Sequence, residues 1–195
     1  WGDVWYGGKT RNPWNLEEGS SGSSAGSASA TIAGLVPFAI GSETWGSIVS
    51  PSTVCGATGL RPTFGRVSKH GAMALSWSMD KLGPICRNAI DCALVLEVIK
   101  GEDGLDISVH DFPFNYNAET QISKLRIGYL SDDFSTDRSN RKNDSATIAL
   151  LKSKGIQLIE KKLPTDIPVY SLSFILSAEA GAAFDELTRT NRDTL

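Results

Sequence analysis

Hydrophobic side chains occur along this chain in short separated blocks, and the spacing within each block predicts its element. Ile32, Leu35, Val36, Phe38 and Ile40 close a run of small residues and predict a buried strand over 35–40. Ala89, Ile90, Ala93, Leu94 and Val98 recur at helical intervals. Asn88 before them is suited to cap a helix, with Asp91 at the capping-box position. Residues 125–130 alternate and predict a strand. Residues 145–154 predict a helix closed by Gly155, then a strand near 156–159. A last helix is predicted over 171–188, burying Leu172, Ile175, Leu176, Ala183 and Leu187. Strands alternating with helices predict an α/β layered architecture. A softer break in composition at 101–124 marks where a second subdomain begins.

The polar stretches are as informative. The first 18 residues read as loop, rich in glycine and ending near Arg11-Asn12-Pro13-Trp14-Asn15. Residues 19–31 then hold six serines, three glycines and three alanines. A flexible linker has that composition, but a linker has no reason to enter an apolar block through alanines. We read a glycine-rich loop feeding a small-residue helix over 26–33 that sits close against other backbone. A second glycine/serine turn, Gly41-Ser42-Glu43-Thr44-Trp45-Gly46-Ser47-Ile48, follows the predicted strand.

Composition narrows the function classes. With 41% apolar and 21% charged residues, 195 residues can bury a core without disulfides or metal. Net charge is −3 with no basic cluster, which argues against direct nucleic-acid binding. No apolar run approaches a membrane span of about 20 residues. Cys55, Cys86 and Cys92 lack metal-site spacing and read as buried free thiols of a reducing, cytoplasmic compartment, unless a leader before residue 1 directs export.

A serine hydroxyl needs a base to become a nucleophile. The chain has only His70 and His110, neither in a context that suggests a Ser-His-Asp triad. Gly22-Ser23-Ser24-Ala25-Gly26 fits G-x-S-x-G, but that elbow needs a strand before it, and Asn15-Leu16-Glu17-Glu18 does not read as one. No G-x-x-x-x-G-K-[ST] is present, which removes a P-loop. Arg61 and Arg66 are expected to pair with carboxylates or carbonyls, and Trp14 and Trp77 to pack.

Three segments in order carry a resemblance. They are Ser21-Gly22-Ser23-Ser24-Ala25-Gly26-Ser27-Ala28, the turn 41–48, and Cys55-Gly56-Ala57-Thr58-Gly59-Leu60-Arg61-Pro62-Thr63. Gly65-Arg66-Val67-Ser68 and Met79-Asp80-Lys81-Leu82-Gly83-Pro84 continue it. Together they resemble the signature block of the amidase signature family, clearly over about 10–104 and weakly beyond. The resemblance implies an α/β/α layered fold, a mixed twisted sheet covered by helices. Of that domain the chain would be a part, with the signature core at 10–104 and a peripheral α/β part at 118–195.

The resemblance also implies a serine–cis-serine–lysine mechanism with an acyl-enzyme, no cofactor and no metal. Ser47 falls on the nucleophile and Ser23 on the cis-serine, with backbone N–H groups of Thr44, Trp45, Gly46 and Ser47 as oxyanion hole. Ser24 and Asp80 are expected to support them. The family's lysine lies well upstream of the cis-serine, where only 22 residues are present here. Lys9 is too close, so no catalytic lysine is assigned, and the chain alone is expected to be an inactive piece of a longer enzyme. Three positions depart from the family pattern: Trp45 for glycine, Val49 for arginine, Glu43 for aspartate. The expected activity is hydrolysis of a linear amide. Alternatives are the glutamine-hydrolysing A-type subunit of a tRNA-dependent amidotransferase and a catalytically inactive amidase-fold protein. The partners expected are a small-molecule amide and, at most, a second copy in a homodimer.

Overall fold

A computed structural model describes residues 2–135 and 140–192. Chain contacts divide it into a unit of 1–114 with 171–195 and a unit of 115–170.

In the first unit the opening residues are not loop. They form two small antiparallel pairs, β1 (Val4–Trp5) with β2 (Gly8–Lys9) and β3 (Arg11–Asn12) with β4 (Asn15–Gly19). Most of these strands are too short for alternation to show in the sequence. α1 (Ala25–Ile32) follows as predicted, and its small residues bring it against backbone. Ser24 Oγ donates to the Ser42 carbonyl at 3.1 Å, and Ser27 Oγ to that of Ile40 at 2.8 Å. The predicted strand at 35–40 is displaced to β5 (Ala39–Glu43). Gly34 turns the chain with φ +75° and Pro37 has no N–H for a ladder, so the apolar residues between them stay in a bend.

β5 pairs antiparallel with β7 (Lys81–Cys86), which also takes β6 (Thr58–Gly59) on its other edge. α2 (Val49–Cys55) links the turn after β5 to β6. The core is Ala28, Ile48, Cys55 and Ile85, all fully buried, with Ile32 and Ala57 against them. Asn88 caps α3 (Ala89–Ile99) as predicted, accepting the Asp91 N–H at 2.9 Å. The buried face differs from the predicted one: Cys92, Ala93 and Leu96 point inward while Ile90, Leu94 and Val98 are exposed. A helix apolar on nearly every side gives no period from which to choose a face.

In the second unit β8 (Arg126–Leu130) and β9 (Gln157–Lys161) pair in parallel. The crossover that parallel strands require carries α4 (Ser131–Ser135) and α5 (Arg141–Ser153). Gly155, with φ +75°, ends α5 as predicted. The predicted last helix is broken at Phe184 into α6 (Ser173–Ala183) and α7 (Asp185–Arg189), and it belongs to the first unit rather than to the peripheral part. Of its predicted inward residues, Leu172, Ile175 and Leu187 are exposed. α6 is instead held through a polar residue: the Glu179 carboxylate accepts both the Ser76 and Ser78 hydroxyls, at 2.6 and 2.7 Å.

Candidate active site

The site begins with the loop between β4 and α1. Ser21 has φ +60°, and the Gly22–Ser23 peptide is cis. Gly22 admits no side chain, because a Cβ there would lie 2.0 Å from the Gly2 carbonyl oxygen. Ser23 is exposed and Ser24 buried. A strand does precede this loop, so the ground for setting aside a G-x-S-x-G elbow fails. The bonding of the central serine sets it aside instead. Ser24 Oγ both donates to the Ser42 carbonyl and accepts the Ser42 N–H, each at 3.1 Å, which leaves it locking two stretches of chain together.

The second element is the turn after β5. Two contacts join it to the first loop: the Ser24 N–H donates to the Ser47 carbonyl at 3.1 Å, and the Ser21 and Ser50 hydroxyls lie 2.8 Å apart. Ser23 and Ser47 therefore stand on adjoining loops although 24 positions separate them. Ser47 is half-buried, and Ile48 beside it anchors the turn in the core. Gly46 takes φ +141°, a conformation for which glycine is suited.

Glu43, noted in the sequence only as a departure, organises this turn. Its side chain is fully buried. One carboxylate oxygen accepts the N–H groups of Ile48 and Val49, at 2.8 and 2.9 Å, and the other accepts from Arg61 at 3.0 Å. The expected pairing of Arg61 with a carboxylate is thus found. The N–H groups of Thr44, Trp45, Gly46 and Ser47, by contrast, meet no acceptor among the described residues. A carboxylate that consumes the next two donors leaves a row of four beside a serine hydroxyl. Such a row can stabilise an oxyanion.

Thr44 is held on two sides by the residues that lead into β7. Its hydroxyl donates to Asp80, whose other oxygen accepts the N–H groups of Leu75 and Ser76 at 2.8 and 3.0 Å. Its carbonyl accepts from Lys81 Nζ at 3.3 Å. Burial, and then the nearby Arg61, hold the Lys81 ammonium below the ordinary lysine range. Lys81 and Glu179 were not singled out in the sequence. Glu43 was findable, because the family pattern carries an acid there; Glu179 was not, since about a hundred residues separate it from Ser76.

Ser23, Ser42, Thr44 and Asp80 border a cavity of about 490 Å³. Met73, Leu75, Trp77, Leu105, Ile107 and Phe184 give it an apolar wall. Trp77 lines it and is half exposed, so it does not act as simple packing; Trp14 instead donates its indole N–H to the Cys55 carbonyl at 2.8 Å. Ser47 and Trp45 do not border this cavity. A second cleft brings Ser23 alongside Lys9, which is exposed. Among the described residues no His, Cys, Asp or Glu cluster could hold a metal. No helix among them is long and apolar enough to cross a membrane.

Comparison with known proteins gives the frame for this geometry. The Amidase family model matches residues 4–194. The chain is 43% identical over 182 residues to the A subunit of the glutamyl-tRNA(Gln) amidotransferase of Roseiflexus castenholzii, covering 89% of this chain and 37% of that protein. Its structure resembles the same-named subunit of Thermotoga maritima, with TM-score 0.81 and 31% identity over 94% of this chain and 43% of that one. It also resembles the peptide amidase of Stenotrophomonas maltophilia, with TM-score 0.77 and 32% identity over 92% and 39%. The chain thus spans well under half the length of these relatives. A family match across nearly the whole chain, on an α/β fold shared with amidases of solved structure, places this chain in the amidase family.

Proposed function

We propose that the protein containing this chain hydrolyses a carbon–nitrogen amide bond with Ser47 as nucleophile. Ser47 Oγ attacks the amide carbonyl carbon while its proton passes to the Ser23 hydroxyl, which hands its own proton to a neutral lysine. No lysine is assigned to that role here. The carbonyl π pair moves to oxygen, facing the N–H groups of Thr44, Trp45, Gly46 and Ser47. Collapse breaks the C–N bond, the amine leaves with the proton, and water then opens the acyl-enzyme ester.

The observation that carries this reading is the row of four unaccepted N–H groups from Thr44 to Ser47, with the following two consumed by Glu43. Donors so placed are worth about 3–4 kcal/mol each in a transition state. The bond from the Ser24 N–H to the Ser47 carbonyl and the contact of Ser21 with Ser50 support pairing Ser23 with the nucleophile. The test is mass spectrometry of the full-length protein treated with a fluorophosphonate. The label is expected on Ser47 and absent in Ser47→Ala; a label on another residue overturns the assignment, and an unreactive Ser47 favours an inactive protein that keeps the fold.

A second reading has its own support. The relative from Roseiflexus castenholzii is named as part of an amidotransferase, which suggests glutamine as substrate and a protein partner. Trp45 and Val49, the two departures from the family pattern nearest Ser47, favour the first reading. Ammonia released from glutamine only when a partner protein is added would decide for the second. A small-molecule amide substrate, a homodimer and a cytoplasmic location belong to the same proposal. The three buried free cysteines support a reducing compartment.

A further inference from the structure

The row of donors beside Ser47 is useful only if the peptide planes that carry it are fixed. Glu43 fixes the far end, through Ile48 and Val49. Toward the near end lies the Trp45 N–H, which belongs to the same peptide plane as the Thr44 carbonyl. That peptide is trans, since the cis bond of the described chain is at Gly22–Ser23. In a planar trans peptide the C=O and N–H bonds point in opposite directions. Whatever grips the Thr44 carbonyl therefore aims the Trp45 N–H the other way.

The structure assigns that grip to Lys81: we infer that it is a positioning residue, whose ammonium fixes the Thr44 carbonyl and thereby orients the Trp45 N–H as an oxyanion donor. Three observations carry this. Lys81 Nζ lies 3.3 Å from the Thr44 oxygen. Lys81 is the β7 residue in register with Glu43, so the ladder delivers it to the point where β5 ends and the turn begins. Its neighbour Asp80 holds the Thr44 hydroxyl, so rotation of Thr44 is blocked from both its side chain and its carbonyl. Lys81 is not assigned as the missing base, because among the described residues its Nζ bonds the Thr44 carbonyl and neither Ser23 nor Ser47.

This inference rests on the amidase reading, and the experiment separates the two. The full-length protein is treated with an alkyl fluorophosphonate, and labelling of Ser47 is followed by mass spectrometry at several probe concentrations. If unsubstituted protein does not label at Ser47, the amidase reading falls and the Lys81 role falls with it. If it labels, Lys81→Met is expected to lower the limiting labelling rate about 10- to 100-fold, less than the roughly 10²–10³ for outright loss of a donor. The half-saturating probe concentration should stay within about twofold, because the donor acts on charge that develops in the transition state. Lys81→Arg, which still donates to a carbonyl, should restore the rate to within about threefold. Lys81→Gln gives an intermediate rate and serves if the methionine variant does not fold. Labelling of the methionine variant at the unsubstituted rate overturns the role. So does failure of both arginine and glutamine to rescue, which would mean that the amine itself is needed.

Discussion

Glu43 holds the turn that carries Ser47 without bordering either cavity. Its carboxylate is fully buried and satisfies two backbone donors and one guanidinium. Glu43→Gln removes the charge that Arg61 pairs with, and turns an amide NH₂ either toward that half-exposed guanidinium or toward the Ile48 and Val49 N–H groups, of which Ile48 is buried. We expect a loss of about 1–3 kcal/mol in denaturant unfolding together with slower Ser47 labelling, whereas a surface substitution would move neither. Lys9 makes the opposite prediction. If the base lies elsewhere, Lys9→Met in the full-length protein leaves Ser47 labelling within about twofold of the unsubstituted rate; a collapse would make Lys9 the base. The thiols give a third check. Burial, with the neighbouring Cys92 and Asp91, pushes the Cys86 thiol up to about 12, so thiolate is scarce at ordinary pH. Cys86 should resist iodoacetamide near pH 8 in native protein and react after unfolding, as read by mass shift. At this scale the sequence named the serines and Asp80 through motif spacing, but not Lys81. A lysine in a strand looks the same whether it faces solvent or a carbonyl.

Among the elements, the loop before β7 and the loop after α3 are tied to each other by side chains. Asp106 accepts the backbone N–H of Lys69 and both the N–H and hydroxyl of Ser108, and Lys69 lies 3.4 Å away as an ion pair. The Ser108 hydroxyl is the largest influence on this carboxyl. With the two N–H donors and Lys69 it outweighs partial burial, holding the carboxyl well below the usual carboxylate range. A depressed folded pKa stabilises above the unfolded value of about 3.9 and is lost as pH falls toward the folded value. Unfolding measured across pH should therefore show Asp106→Asn less stable near pH 6, with the gap narrowing below about pH 4. A gap that does not narrow would mean the carboxylate charge is not what matters. Ile48 ties the turn to the core in the apolar way, and Ile48→Ala should cost about 2–5 kcal/mol in denaturant unfolding. Element boundaries were legible where a local signal exists: Asn88 at a cap, Gly155 at a helix end. They were not legible for the two-residue strands near the N-terminus, nor for the face of α3, because those are decided by contacts far along the chain.

For the molecule as a whole, the α/β class and the family followed from the order of motifs. The division into units did not, because the chain leaves the first unit after 114 and returns to it at 171. The sequence shows a change of composition where it leaves, but nothing where it returns. What brings it back is Glu179 on Ser76 and Ser78, a contact spanning 103 and 101 positions. That span has a kinetic meaning. Closing so long a loop costs chain entropy before any bond repays it, so local pairings such as β5 with β7 form ahead of it. We expect the docking of α6 to follow the rate-limiting barrier to folding. Weakening it with Glu179→Gln should quicken unfolding in stopped-flow denaturant jumps while leaving the refolding limb almost untouched. The wall of the cavity that Phe184 supplies would thus be the last part of the site to arrive and the first to depart.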